Sequence, residues 1–375
     1  MAIIVKPATT KSEMKTFIYL PEIIHAKHKG WVPPFFADDM RTFDPKRNLS
    51  FAYCECVCLL AYENGVAVGR VAAIINHRYN KNANVQNARF GYMEVPARLD
   101  VTTALLDYAE KWAKDKGMTK LVGPMGFTEE DPEAFIIEGF DEVTNLATIQ
   151  NFPQIPEYMA QLGYTKEVDY FVYKVKIADA ITDLYRKVFQ RVSRSKELKL
   201  IEFKTKKELA RYIVPIFRLM NQCFTVLYGY SPFEEEEMVQ FAKRYMPGVD
   251  PRFIKCVVNT QDEVVGFVVG IPNMSSGIIK AKGRLFPFGF IHILNARKHA
   301  KKLDVYLGAV KEEYRSKGVD VLMGYKMFES AQAAGIEYLD SHHELEDNIA
   351  MRSEMERVGG KIYKKYRIYQ KSLIS

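Results

Sequence analysis

Lys302–Tyr325 reads KLDVYLGAVKEEYRSKGVDVLMGY, and three textures succeed one another within it. The apolar run that ends at Val310 has the composition of a buried strand. Arg315, Ser316, Lys317 and Gly318 make a short basic turn, and the segment from Val319 is apolar-periodic in the manner of a helix start. Such a junction leaves backbone N–H groups pointing out of the first helical turn, with two basic side chains beside them. That chemistry suits phosphate oxygens. The spacing differs from the longer phosphate loop ending in Lys-Ser/Thr and from Gly-x-Gly-x-x-Gly.

Working outward, the 375 residues are too many for one modest core, so two domains are expected. At 48% hydrophobic and 26% charged, with glycine and proline scattered, the composition excludes disordered and collagen-like classes. Cys54, Cys56, Cys58, Cys223 and Cys256 contain no Cys-x-x-Cys pair, which argues against a disulfide framework or a zinc ribbon. The N-terminus lacks a basic leader followed by a long apolar region, and no apolar span has membrane length. The expectation is a cytoplasmic protein with no membrane insertion. The formal charge of +7 suits an anionic ligand as well as a solubilising surface. The basic stretches Arg186–Lys207 and Arg297–Lys302 lack the spacing of a recognition motif, so no specific nucleic-acid partner is expected.

The first half reads as a strand at Ala2–Pro7 and a helix over Ser12–Leu20, with Ser12 as its cap. Trp31, Phe35 and Phe36 follow as loop anchors. Cys54, Cys56 and Cys58 have period two and point to one face of a strand, where they read as core rather than metal ligands. Asn64-Gly65 turns this strand into a second, VAVGRVAAIIN. A strand at Ala88–Val95 and a helix at Thr102–Lys116, stopped by Gly117, come next; Arg89 and Glu94 read as strand and packing. The boundary between domains 1–178 and 179–375 falls between Lys176 and Asp183. In the second half FIKCVVNTQDEVVGFVVGI parallels CVCLLAYENGVAVGRVAAI, with Gly266 answering Gly69, and a helix–glycine–strand order recurs later in both halves. This order suggests an ancient duplication.

Tyr314-Arg315-Ser316-Lys317-Gly318-Val319-Asp320 resembles the acyl-CoA-binding motif of the GCN5-related N-acetyltransferases, Tyr-Arg-Gly-Lys-Gly-Val-Gly and its variants between a strand and a helix. Asn348, Met351, Met355 and Gly359 match the spacing of that family's Asn-x-x-Ala-x-x-x-Tyr-x-x-x-Gly segment. The resemblance covers about Phe253 to Tyr369, and element order extends it to the first half. It implies an α+β protein of two packed acyl-CoA N-acyltransferase-like domains, each a mixed, mainly antiparallel sheet flanked by helices. The first would be degenerate, since no Arg-x-x-Gly turn follows ARFGYMEV.

The resemblance further implies acetyl-CoA or another acyl-CoA as cosubstrate and direct transfer to an amine-bearing small molecule, with no covalent enzyme intermediate. The backbone of Leu307, Ala309 and Val310 would align the pantetheine arm. Arg315, Ser316, Lys317, Gly318, Val319 and Asp320 would surround the pyrophosphate, and Asn348 would lie near the arm. Two positions depart from the pattern. Asp320 puts a carboxylate where the family has Gly or Ala, and Met355 replaces the proton-donating tyrosine with a thioether that has no proton to give.

For the acid, Tyr363 or Tyr366 stands in. The bases are drawn from DSHHELEDN, where Glu344 and His342 are the choices; the adjacent rings of His342 and His343 are expected to diverge on an extended segment. No metal site is expected. A non-catalytic tandem binding or scaffold protein is the alternative function, and monomer and homodimer both stay open.

Overall fold

The computed structural model describes residues 2–128, 130–246 and 248–374. It divides into two compact units that are not consecutive halves of the chain. One holds the chain through Tyr170 with Met274–Ala296 and the residues from Lys364 onward; the other holds Phe171–Asn273 and Arg297–Tyr363. This division differs from the 1–178 and 179–375 read from sequence, because strand pairing, a non-local property, decides where each closing strand belongs.

In the first unit β1 (Ile4–Pro7), β2 (Cys54–Glu63), β3 (Val66–Asn76), β4 (Asn87–Glu94) and β5 (Lys120–Gly123) pair in that order. All are antiparallel except β4 with β5. The far edge of β5 is closed by the end of the chain, where Tyr369–Ser372 pair antiparallel with Gly123–Lys120. β6 (Phe135–Glu138) joins that same closing strand through Arg367, Tyr366 and Lys365.

Asn64 and Gly65 both take positive φ, 50° and 80°, the backbone that matches the twist of a two-residue hairpin. Helix Lys11–Ile24 covers one face of the sheet with Phe17, Ile18 and Leu20, against which Cys54, Cys56 and Cys58 also pack. Its cap is Thr10, not Ser12: the Thr10 hydroxyl accepts from the Glu13 amide while Glu13 reaches back, a reciprocal capping box. Helix Leu99–Asp115 covers the other face through Val101, Leu105, Leu106, Ala109 and Ala113, and Gly117 at φ 76° follows its end.

The second unit repeats the plan. β7 (Thr165–Lys176) enters it with its last six residues, and β8 (Leu198–Glu202), β9 (Ile254–Asn259), β10 (Val264–Pro272), β11 (Lys302–Val310) and β12 (Tyr338–Asp340) run β8-β9-β10-β11-β12-β7. The sole parallel pair among the described residues of this sheet is β11 with β12. The short β13 (Glu344–Leu345) pairs with β7, and β14 (Lys361–Ser372) is the strand that closes the first unit. Helix Val319–Ala333 packs on one face and Ile213–Phe224 on the other.

The duplication is visible in detail at Gly69 and Gly266. A Cβ on Gly69 would lie 2.7 Å from Val101 and 3.0 Å from Leu105, and one on Gly266 would lie 2.5 Å from Val319 and 3.2 Å from Met323. Each glycine therefore lets a helix settle on its strand through residues one turn apart, Leu99–Asp115 on β3 and Val319–Ala333 on β10, and each stands at a register shift in its hairpin.

Candidate functional site

β12 follows β11 only through Lys302↔Tyr338, Leu303↔Leu339 and Asp304↔Asp340, whereas β11 runs on to Val310. Past Asp304 it keeps its partner β10 and lies beyond the end of β12, so one backbone edge opens toward the turn. A bulge sets this off: Val305 faces Gly270 and Leu307 faces Val269, leaving Tyr306 as the extra residue. Leu307 and Ala309 send their side chains into the core under helix Ile213–Phe224, and Val310 packs with Val319 and Val265. What these three residues offer along the edge is backbone.

At the end of that edge Arg315 donates from Nε to the Val310 carbonyl at 3.3 Å, which sets its guanidinium beside the turn. Ser316 (φ 64°) and Gly318 (φ 78°) are both left-handed, and the Lys317 ammonium stands 4.7 Å over the Tyr314 ring. Helix Val319–Ala333 then begins with no side chain capping it. Its first-turn N–H groups are thus available to an anion, with the positive end of the helix dipole behind them. Gly318 has no room for a side chain, since a Cβ would meet Val192 at 2.6 Å.

A cleft of about 460 Å³ lies here, lined by Arg191, Ser195, Ser316, Lys317, Asp320 and Arg357 among others. The Asp320 charge is felt by Glu354 and Tyr185. Burial first, and the Asp320 charge second, hold the Glu354 carboxyl above its usual range. Asn348 uses its side-chain oxygen to cap helix Ile349–Arg357, accepting from the Met351 amide at 3.3 Å, and Met355 is a core residue beneath that helix.

Where β11 and β12 part, a polar cluster is buried. Asp340 is fully buried and accepts from Lys302 Nζ at 3.0 Å, from the His342 amide at 3.1 Å and from the Tyr363 hydroxyl. Lys302 also stands 3.7 Å from Asp304, whose other oxygen accepts from Asn273 at 2.7 Å. Burial, with Asp304 and Asp340 nearby, pushes the Tyr306 phenol well above its ordinary pKa, so it keeps its proton. The His342 ring is 5.1 Å from Tyr306. Far from diverging, the His342 and His343 rings stack at 4.7 Å and 6°, because His342 adopts φ 54° and the segment is not extended there. Glu344, on β13, has its carboxyl pushed up to about 8 by burial alone.

The structure therefore gathers His342 and Tyr363 around Asp340, with Glu344 two residues further along the same segment. It places Ser316, Lys317, Gly318 and Asp320 on one cleft. Tyr366 belongs to the first unit, where it is wholly buried opposite Ile136. Lys302, Tyr306 and Asp340 escaped the sequence reading. A signal was present in the repeated Leu-Asp of Leu303-Asp304 and Leu339-Asp340, which the parallel register sets side by side.

Among the described residues the first unit shows no such opening. Where β4 and β5 part, residues 124–127 fill the gap: Met125 donates its amide to Phe90, and a Cβ on Gly91 would strike the Met125 carbonyl at 2.1 Å. Arg89 is buried and donates to the Gly126 and Phe127 carbonyls, so it is indeed packing. Glu94 is bonded to His25 at 2.6 Å. Arg98, ahead of helix Leu99–Asp115, is neutralised by Glu63 and Asp100.

No family model matches the chain. Two relatives align over nearly its whole length: the "Bacterial ceramide synthase" of Caulobacter vibrioides, 28% identical over 98% of this chain and 97% of its own, and "Protein YghO" of Escherichia coli, 25% identical over 99% and 95%. Among solved structures, the tandem GNAT protein from the clavulanic acid biosynthesis pathway superposes with a TM-score of 0.59 at 12% identity, covering 100% of this chain and 99% of its own. A GCN5-related N-acetyltransferase from Sphaerobacter thermophilus gives 0.54 at 12% identity over 100% and 96%. With the sheet order above, these likenesses show that the chain has the tandem fold of the GCN5-related N-acetyltransferases.

Proposed function

We propose that the chain is an acyl-CoA-dependent N-acyltransferase that works in its second unit. The observation that carries this reading is the open edge of β11, which runs from the buried Asp340 cluster at one end to the uncapped helix and the Arg315–Gly318 turn at the other. Pyrophosphate fits that turn: two left-handed residues expose backbone N–H groups, and Arg315 and Lys317 supply charge-assisted contacts. Bound acyl-CoA would supply an activated carbonyl, and the backbone of Leu307, Ala309 and Val310 would align its arm.

In this reading the chain's own groups handle two protons. Glu344 takes the one the attacking amine loses, and a carboxylate with a pKa of about 8 is a stronger base than a solvated one. Tyr306, which keeps its proton, returns one to the departing sulfur. Tyr363, whose hydroxyl is committed to Asp340, and His342, held through its amide by the same carboxylate, orient the cluster. The first unit, with its opening filled, serves as support.

The acceptor follows from the relative named as a ceramide synthase. A ceramide is an N-acylated long-chain amino alcohol, so we assign a long-chain amine to this chain as acceptor and a fatty acyl-CoA as donor. The test is amide formation from palmitoyl-CoA or acetyl-CoA with sphinganine or short amines, followed by mass spectrometry. The expected product is the long-chain amide. Glu344→Gln should lower kcat by about a hundredfold or more, and Arg315→Ala should raise the acyl-CoA KM by about tenfold with kcat little changed. Absence of calorimetric CoA binding at millimolar ligand would overturn the reading. Saturable binding without product from any amine would instead establish a non-catalytic binding protein, the role that Asp320 favours.

A further inference from the structure

Helices Ser275–Ala281 and Gly289–Lys298 make a hairpin whose inner side is fixed to the first unit. Ile278, Ala281 and Ile293 pack with Val32, and the Ser275 hydroxyl donates to the Thr144 carbonyl at 2.9 Å. Gly277 brings the two helices together, since a Cβ there would lie 2.5 Å from the His292 carbonyl.

The outer side is built the wrong way round for a face that meets only water. At 100° per residue Phe290, Ile291 and Leu294 share one face of the second helix, opposite the buried Gly289 and Ile293. The connection adds Leu285, Phe286 and Phe288; Phe286 is 80% exposed and Phe288 68%, and the Phe286 and Phe290 rings lie 6.3 Å apart. Every phenylalanine strongly exposed among the described residues falls in this short segment. A contiguous apolar patch on a rigid support marks an interaction surface.

Charge says what covers it. Between Glu263 and Asp304 the sequence has no acidic residue and seven lysines and arginines, of which Lys302 belongs to the Asp340 cluster, Arg297 pairs with Asp250 and Lys301 with Glu337. Lys280 and Lys282 are exposed at the hairpin, and Arg284 is tied to Glu22 at 2.7 Å. Lysine is depleted from the cores of protein–protein interfaces. Phenylalanine and leucine beside lysine are instead the chemistry of helices that lie in the headgroup layer of an anionic bilayer.

We infer that the outer face of the Ser275–Lys298 hairpin docks this protein on an anionic phospholipid surface. The aromatic and aliphatic side chains enter the headgroup layer, and Lys280 and Lys282 meet lipid phosphates. The attachment is peripheral, since no helix among the described residues is long and apolar enough to cross a membrane. The inference goes beyond the proposed acyl transfer and does not depend on it.

The test is flotation of the full chain with vesicles of phosphatidylcholine alone or mixed with phosphatidylglycerol. Wild type should float with the mixed vesicles and be released as rising salt shortens the screening length from about 8 Å to about 3 Å. The triple variant Phe286→Ser/Phe288→Ser/Leu294→Ser and the charge variant Lys280→Glu/Lys282→Glu should each bind about tenfold more weakly. Both should melt as wild type does, because they alter only exposed side chains. No flotation of wild type with mixed vesicles, or flotation unchanged in both variants, would overturn the inference. So would light scattering that shows a wild-type dimer and a monomeric triple variant, which would assign the face to a second copy of the chain.

Discussion

Glu344 binds its proton far more tightly than a carboxyl in water, and the consequence runs in two directions. Its folded pKa of about 8 stands above the ordinary 4.5, and burial is the cause. As pH rises past 4.5 the unfolded chain releases this proton while the folded chain holds it. Folding is therefore penalised progressively between pH 4.5 and about 8, and the penalty is complete above that. Glu344→Gln should melt at a higher temperature than wild type at pH 8 and at the same temperature near pH 4, which calorimetric scans at the two pH values check. The proposed acyl transfer predicts the mirror image for activity, with kcat/KM of wild type climbing toward pH 8 as Glu344 ionises. Its neighbours show where sequence reading stops at this scale. Glu344 and His342 were legible as titratable groups in one short segment. Lys302 and Asp340 were not, because only the register of β11 with β12 makes them neighbours.

Gly69 and Gly266 set how closely two helices lie on their strands. Gly69 lies under the first turns of helix Leu99–Asp115 and Gly266 under those of helix Val319–Ala333, where an added Cβ would press on a β-branched valine held in a helix, Val101 or Val319. Overpacking of this kind costs about 1–3 kcal/mol. Gly69→Ala and Gly266→Ala should each lower the denaturation midpoint, by amounts of the same order, in a urea titration followed by circular dichroism. A large effect at one site and none at the other would count against the equivalence of the two helix–sheet contacts. The hairpins, the helix read over Thr102–Lys116 and found over Leu99–Asp115, and the correspondence of Gly69 with Gly266 were readable in the sequence, since period, turn residues and local order encode them. Two features were misread, and each was settled by one side chain or one dihedral. Thr10 caps the first helix because Glu13 stands three residues beyond it and closes the box. The His342 and His343 rings stack because a single positive φ turns the chain.

For the whole molecule the decisive feature is that its compact units interleave along the sequence. Composition and length predicted two units, but their bounds depend on which strands pair, and β14 gives no local sign that Tyr369–Ser372 will pair with β5. Truncation after Tyr363 should leave β5 and β6 with bare edges. It should yield a first unit that is insoluble or rapidly cleaved in limited proteolysis, although all of its first 170 residues are present. A soluble, protease-resistant truncated protein would show that β14 is dispensable. The same arrangement imposes an order on synthesis. At about 5–20 residues per second, the ribosome must make the helical hairpin and both segments of the second unit before β14 emerges, on the order of ten seconds or more after β5. Throughout that interval the nascent chain carries an unsatisfied strand edge, so the unit begun with β1 is finished only after the second unit has been made.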